Sequence, residues 1–303
     1  MTNTKKKFKF SVFNTVICAV LLLYVFCMLY LLFWGFITAF KTVDDFQFNS
    51  VLGLPEEWQF ENISTVWNYF IYTVNTDKIV GGQVNLFGML SNTLLYAVGG
   101  ALLMTLAPCM VAYACVKYDY FYSKILNGIV IVTMILPIVG AQPSMLAFLR
   151  TINLYDNFLG VWLQKFNFLG LYFLTFSATY RAIPKDFSEA ASIDGASEMR
   201  IFVSVILPLV KNMFFTVMLI HFVEIWNDYQ VSLLYIPSYP TLAMGVQQVT
   251  SHNVALGPNG EYPFNEPPLR MMTSMFLIIP ILILFIAFRN KLMGNLSMGG
   301  VKE

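Results

Sequence analysis

The chain has 303 residues, 57% of them hydrophobic and 12% charged, where a soluble domain carries about 25% charged residues. A formal net charge of +1 excludes a general nucleic-acid binder, which concentrates basic residues on one surface. The four cysteines, Cys18, Cys27, Cys109 and Cys115, lack metal-ligand spacing and read as small apolar packing residues.

The first apolar run, Val12 to Phe36, follows Lys5, Lys6, Lys7 and Lys9. It has the basic start of a signal peptide, but the apolar stretch is too long and no small-residue cleavage site follows, so it predicts a retained membrane anchor. The next segment, 37–87, carries Asp44, Asp45, Glu56, Glu57, Glu61 and Asp77. It reads as a long polar loop offering a docking surface to a partner.

Crossing the hydrocarbon core takes roughly 20 apolar residues. Further candidates are Gly88 to Val116, Ile125 to Leu149, Phe158 to Tyr180, Leu207 to Val231 and Met271 to Phe288. The fold class predicted is therefore an all-α integral membrane protein with six transmembrane helices. The fourth and fifth spans are the weakest, holding Gln164, Lys165 and Asn167, and Lys211, His221, Glu224 and Asp228 respectively.

Charge placement orients the spans. With the basic start inside, the inner segments (the start, 117–124, 181–211 and the end after 288) hold 13 of the 18 Lys and Arg. The outer segments hold four, an asymmetry that predicts both termini on the cytoplasmic side. A second outer loop, 232–270, is rich in Pro and Gly around Pro258, Gly260 and Pro263.

The inner loop 184–208 reads as a helix, a glycine break and a second helix. Pro184 suits a first helical position, and Gly195 suits the left-handed residue that ends a helix, so the first helix should stop near Asp194. Ala190 and Ala191 give it a face of little bulk, with Glu189 beside it. Ser197 is placed to cap the second helix, where Ile201, Phe202, Val205 and Ile206 recur at helical spacing. Pro208 marks the entry to the fifth span, where it is expected to kink or start the helix. The chain has no GxxxxGK[ST] phosphate loop, so it lacks that device for binding ATP.

Glu189, Ala190, Ala191, Asp194, Gly195, Ala196, Phe202, Leu207 and Pro208 resemble the EAA loop of the permeases of binding-protein-dependent ABC importers. Asn212 departs from that pattern, standing where many relatives have Pro. The run Glu224-Ile225-Trp226-Asn227-Asp228, with Tyr239-Pro240-Thr241-Leu242 and Gly245, is similar to carbohydrate permeases. The ending Gly299-Gly300-Val301-Lys302 resembles the smaller permease subunit of maltose-type importers.

The resemblance implies an EAA coupling loop between helices 4 and 5, in which Glu189, Ala190, Ala191, Asp194, Gly195 and Ala196 contact an ATPase subunit. It implies a first region 1–87 (tail, first span and outer loop), a permease core 88–290 and a cytoplasmic tail 291–303. The implied partners are a second homologous permease, two cytoplasmic ATPase subunits, an extracytoplasmic solute-binding protein and the lipid bilayer. ATP and Mg belong to the ATPase subunits and no cofactor to this chain. The implied activity is uptake of a sugar, an oligosaccharide for preference, across a bacterial cytoplasmic membrane.

Ionisable groups are expensive in lipid, so those within the spans face protein, water or the interface. Lys165 and Asp228 lie near outer span ends, where each is expected to reach the headgroups by itself. Glu224, Asn227 and Asp228 are the candidate lining of the outer part of the substrate pathway, the alternative being that they hold the fifth span against its partner subunit. Trp226, Tyr229 and Tyr235 are near enough to stack on a sugar, but in a chain with 49 aromatic residues an aromatic belt or plain packing is the preferred reading of any one of them. His221 and His252 form no catalytic or metal pair. A solute other than sugar is the first alternative. An ion-coupled secondary transporter would show internal repeats, and none is visible. A membrane enzyme would need a convergent motif such as Gly-x-Ser-x-Gly, which is absent.

Overall fold

The computed structural model describes residues 12–118, 120–136, 140–251, 264 and 266–296, the last eight of these by backbone alone. Among the described residues, four helices are long and apolar enough to cross a membrane: Val12–Ala39, Leu86–Lys117, Glu198–Trp226 and Pro267–Phe288. The chain forms two compact units, one drawn from residues 1–69 and 256–276, the other from 70–255 and 277–303.

In the first unit, α1 (Val12–Ala39) is apolar on every side and buries only Gly35, Ile37, Thr38 and Ala39, near its end. A helix hydrophobic all round is a membrane span or a core helix. The chain beyond it is structured rather than an open loop. Asn62, on α2 (Glu61–Tyr69), donates its amide to the carbonyls of Ala39 at 2.9 Å and Lys41 at 3.0 Å. The Ala39 carbonyl is one that the end of α1 leaves without a helical partner, and the Lys41 carbonyl lies just beyond it. Trp34 donates its indole N–H to the Val51 carbonyl at 2.8 Å, and the buried Lys41 ammonium donates to the Ser50 carbonyl. Phe40 gathers Trp58 and Phe60, with ring centroids 5.9 and 5.4 Å away.

The second unit opens with a hairpin of β1 (Ile71–Asn75) and β2 (Val80–Asn85), antiparallel from Ile71 opposite Asn85 to Asn75 opposite Val80. Asn85 then caps α3 (Leu86–Lys117), its side chain accepting from the Gly88 N–H at 2.9 Å.

α3 is the hub of this unit because its buried stripe is small. Ala97, Gly100, Ala101, Ala107, Cys109 and Ala112 are all buried. Small residues let helices approach closely where lipid supplies no hydrophobic drive between them. A Cβ at Gly99 would fall inside the Trp162 indole, and one at Gly100 would lie 2.9 Å from Ile225 Cδ1.

The third and fourth expected spans are each a broken pair, not one helix. α4 (Phe121–Ile135) ends before Leu136, which is extended at φ −80°, ψ 120°. The next residue is Pro137, and the position before a proline disfavours helical dihedrals. α5 (Ala141–Thr151) resumes after Gly140 at φ +81°. α6 (Phe158–Lys165) and α7 (Leu171–Arg181) are separated at Gly170, whose φ of +130° suits glycine.

After α8 (Asp186–Ile193), the elbow's second helix and the fifth span form a single helix, α9 (Glu198–Trp226). Pro208 neither ends nor restarts it. A proline within a helix removes one N–H and clashes one turn back. The chain answers with a π turn at Phe202–Ile206, in which the Leu207 N–H reaches back five residues to the Phe202 carbonyl. Two short helices, α10 (Tyr229–Tyr235) and α11 (Leu242–Thr250), precede α12 (Pro267–Leu296). Pro258, Gly260, Pro263, His252 and the 299–302 ending lie outside the described residues.

Candidate functional site

Two polar sites stand on this frame, an elbow at α8 and a cluster at the C-terminal end of α9. Pro184 lies just outside α8, since Lys185 already has helical dihedrals and its carbonyl accepts from the Glu189 N–H at 3.0 Å. Asp194 follows as the C-cap, and Gly195 takes φ +77°.

The Ala196 N–H reaches the Ala191 carbonyl and the Gly195 N–H reaches the Ser192 carbonyl, both at 3.0 Å. These two bonds are the Schellman arrangement, which needs a left-handed residue at this place. Ser197 sits at the N-cap of α9 with extended dihedrals, but its hydroxyl makes no capping bond.

The six residues Glu189, Ala190, Ala191, Asp194, Gly195 and Ala196 thus form one continuous elbow. Glu189, Ala190, Asp194 and Gly195 are exposed. Ala191 and Ala196 are half-buried against a cluster that includes Cys109, Tyr180, Phe202 and Ile206. Beneath them, Tyr113 lies 4.9 Å from Phe202 and 5.6 Å from Tyr180 between ring centroids. The Tyr180 hydroxyl meets Cys109 Sγ at 3.0 Å.

Lys117, at the end of α3, pairs with Glu198 in the first turn of α9. Each charge also suits its helix terminus. Nothing on α8 is buried, and it presents Phe187 at 48% and Ile193 at 87% exposure. An isolated eight-residue helix is marginal in water, so packing must hold it.

At the far end of α9, Asp228 has both carboxylate oxygens engaged. Oδ1 accepts from the Val231 N–H at 3.0 Å and caps α10. Oδ2 receives the Lys165 ammonium at 3.2 Å and the Tyr96 hydroxyl at 3.0 Å. Lys165 and Asp228 therefore pair with each other instead of snorkelling separately.

Glu224 and Asn227 stay exposed, and the Asn227 amide donates to the Val223 carbonyl of its own helix at 2.9 Å. Trp226 is buried, its indole N–H on the Leu277 carbonyl at 3.1 Å, and Tyr235 is buried with its hydroxyl on the Gln142 carbonyl. Both are packing residues. So is His221, buried with Nδ1 2.9 Å from Thr105 Oγ1 and its ring edge-on to Tyr172.

The loop after α10 is stitched to α3. Asn92 donates to the Pro240 carbonyl at 3.0 Å, and Thr93 Oγ1 accepts from the Leu242 N–H at 2.8 Å. A Cβ on Gly245 would meet Met89 Sδ at 2.7 Å and Phe70 at 2.8 Å, so the glycine admits these neighbours.

Tyr96, Tyr113, Tyr180 and Thr93 carry no sequence signal of these roles, because each meets partners more than 60 residues away.

Residues 104–297 match the family described as the binding-protein-dependent transport system inner membrane component. The chain is 25% identical over 252 residues to the melibiose/raffinose/stachyose import permease protein MelC of Bacillus subtilis, covering 82% of this chain and 83% of that one. It is 27% identical over 220 residues to the trehalose transport system permease protein SugB of Mycobacterium tuberculosis, covering 71% and 78%. A crystal structure of a bacterial ABC transporter involved in the import of the acidic polysaccharide alginate contains a chain of the same fold. Its TM-score is 0.73 at 20% identity, covering 94% of this chain and 99% of that one.

Proposed function

Since the chain belongs to the inner-membrane components of binding-protein-dependent transport systems, and is thus a multi-pass transporter subunit and not an enzyme, we propose that it carries half of a sugar pathway. The substrate class is an oligosaccharide, the class named in the melibiose/raffinose/stachyose permease. The membrane is the bacterial cytoplasmic membrane. The partners are a second homologous permease, two ATPase subunits that hold ATP and Mg, and an extracytoplasmic solute-binding protein.

In this reading the chain crosses six times with both termini in the cytoplasm. The pairs α4–α5 and α6–α7 serve as the third and fourth crossings. Residues 88–290 form the permease core, 1–87 the preceding anchor and outer segment, and 291–303 the tail.

The elbow Glu189, Ala190, Ala191, Asp194, Gly195 and Ala196 receives the motion of the ATPase. The observation that carries this is an exposed α8 bound by a Schellman turn to a buried cluster on α3, α7 and α9. Force applied at such a helix passes to the packed helices instead of being lost in a loose linker. Glu224, Asn227 and Asp228 face the pathway end of α9. Glu224 and Asn227 are available to hydroxyl groups, while Asp228 holds the end of the helix in place.

The test is reconstitution of the assembled importer with its binding protein, using raffinose as the probe. Glu189→Lys is expected to leave assembly of the membrane subunits intact and to abolish raffinose-stimulated ATP hydrolysis. Normal stimulation in that variant removes the elbow from coupling. Uptake of a non-sugar solute by the wild type, with no response to raffinose or any other oligosaccharide, removes the sugar assignment.

A further inference from the structure

A cavity of about 560 Å³ lies behind the elbow, between the end of α3, the end of α7 and the first turn of α8. Its size falls within the range of small-ligand sites, roughly 300–1,000 Å³. Three cations line it: Lys117, Arg181 and Lys185. Among the described residues, Glu189 is the one carboxylate on its wall.

Lys117 is already paired with Glu198, whereas Arg181 and Lys185 form no ion pair among the described residues. Tyr113 also lines the wall, beside Lys117. Helix-end complementarity explains Lys117 and Arg181 one at a time, since each closes a helix. It does not explain why they share a cavity with Lys185.

Three residues beyond Lys117, the aromatics Tyr120, Phe121 and Tyr122 stand in a row at 65, 73 and 74% exposure. Exposed aromatics of this kind collect at the headgroup level of a bilayer. Apolar side chains, Val116, Ile183 and Ile206, complete the wall. A wall that combines cations with apolar groups matches a phosphate joined to acyl chains.

We propose that this cavity binds a phosphate-bearing anion, and that its natural occupant is the headgroup of an anionic phospholipid. The orientation proposed above places that lipid in the inner leaflet, and binding itself does not depend on that orientation. Arg181 and Lys185 supply the charge, and the bound lipid braces the first turn of α8 against the ends of α3 and α7.

The experiment uses the purified, assembled importer. Native mass spectrometry counts retained phosphatidylglycerol against phosphatidylcholine, and thermal unfolding is followed in parallel with added inorganic phosphate. The wild type is expected to retain phosphatidylglycerol preferentially. Arg181→Gln with Lys185→Gln is expected to reduce that retention by roughly five-fold for each cation removed.

Lys124→Gln, an exposed cation outside the cavity, should have no effect. Arg181→Lys with Lys185→Arg should restore retention, which separates charge from folding damage. Stabilisation by inorganic phosphate without lipid retention, lost in the double Gln variant, identifies a free phosphate as the occupant. The proposal is overturned by a wild type that neither prefers phosphatidylglycerol nor responds to phosphate, or by a preference that survives the double Gln variant.

Discussion

The Lys165 ammonium lies 3.2 Å from Asp228 Oδ2, joining the end of α6 to the cap of α10 across 63 residues of sequence. The two side chains are only 15% and 17% exposed, and the Tyr96 hydroxyl shares the same oxygen. The pair thus holds α3, α6 and α9 together at one end. Removing one partner strands the other charge in a half-buried site.

Asp228→Ala is therefore expected to destabilise the subunit by about 2–4 kcal/mol, part of it from the lost cap at about 1 kcal/mol. Asp228→Asn keeps a good capping group and should lose about 1 kcal/mol less. Thermal unfolding in detergent, with Lys165→Met as the second arm of a double-mutant cycle, measures the coupling. Strict additivity of the two changes shows that the pair contributes nothing.

Gly195 is left-handed, and a Cβ there would meet nothing within 4 Å. Its replacement acts through backbone strain alone. Gly195→Val should destabilise the elbow by about 1–2 kcal/mol and Gly195→Asn by less, because Asn tolerates this conformation. Hydrogen exchange across residues 186–197 is the readout, with Val opening the Schellman turn more than Asn.

Gly99 and Gly128 make a contrasting pair. A Cβ at Gly99 collides with the Trp162 indole, while one at Gly128, within α4, meets nothing within 4 Å. Gly99→Ala should destabilise by about 1–3 kcal/mol through overpacking. Gly128→Ala should stabilise by about 0.5–1 kcal/mol through helix propensity. Equal effects at the two positions would contradict the close approach of α6 to α3.

Thr93 Oγ1 accepts the Leu242 N–H in a buried setting. Thr93→Val keeps the volume and leaves that N–H without an acceptor, at about 1–3 kcal/mol. Thr93→Ser retains the oxygen and should lose less. Stability of the assembled subunit, measured for both, separates the hydrogen bond from the methyl group.

The orientation has its own test. In a variant without native cysteines, a cysteine at Ser50 should react with an impermeant thiol reagent from outside the cell, and one at Ser188 only after access from inside. The reverse pattern overturns the proposed topology.

Much of the helical layout was legible from hydropathy. The second apolar run was expected at Gly88 to Val116, and α3 spans Leu86–Lys117. Apolar length follows from the thickness of the bilayer, which every spanning helix meets alone. The elbow was equally legible, because a left-handed glycine after a short helix is local chemistry.

The hairpin 71–85 was not, since its two glycines and short strands lie in a segment that reads as one long polar loop. The breaks in the third and fourth expected spans were also obscured. Pro137 and Gly170 signal a break, but a run that is apolar on both sides reads as one helix by length.

By itself, the amino-acid sequence determined the membrane class, the apolar segments and the elbow at Gly195, each set by contacts within a few residues or with lipid. Only the tertiary structure decided that Lys165 and Asp228 neutralise each other and that Tyr96 joins them. It also decided that Glu224 and Asn227 stay exposed while Trp226 and His221 are buried. The physical reason is that the fate of a charge in a low-dielectric setting depends on its nearest partner in space, and here that partner stands 63 or 132 residues away along the chain.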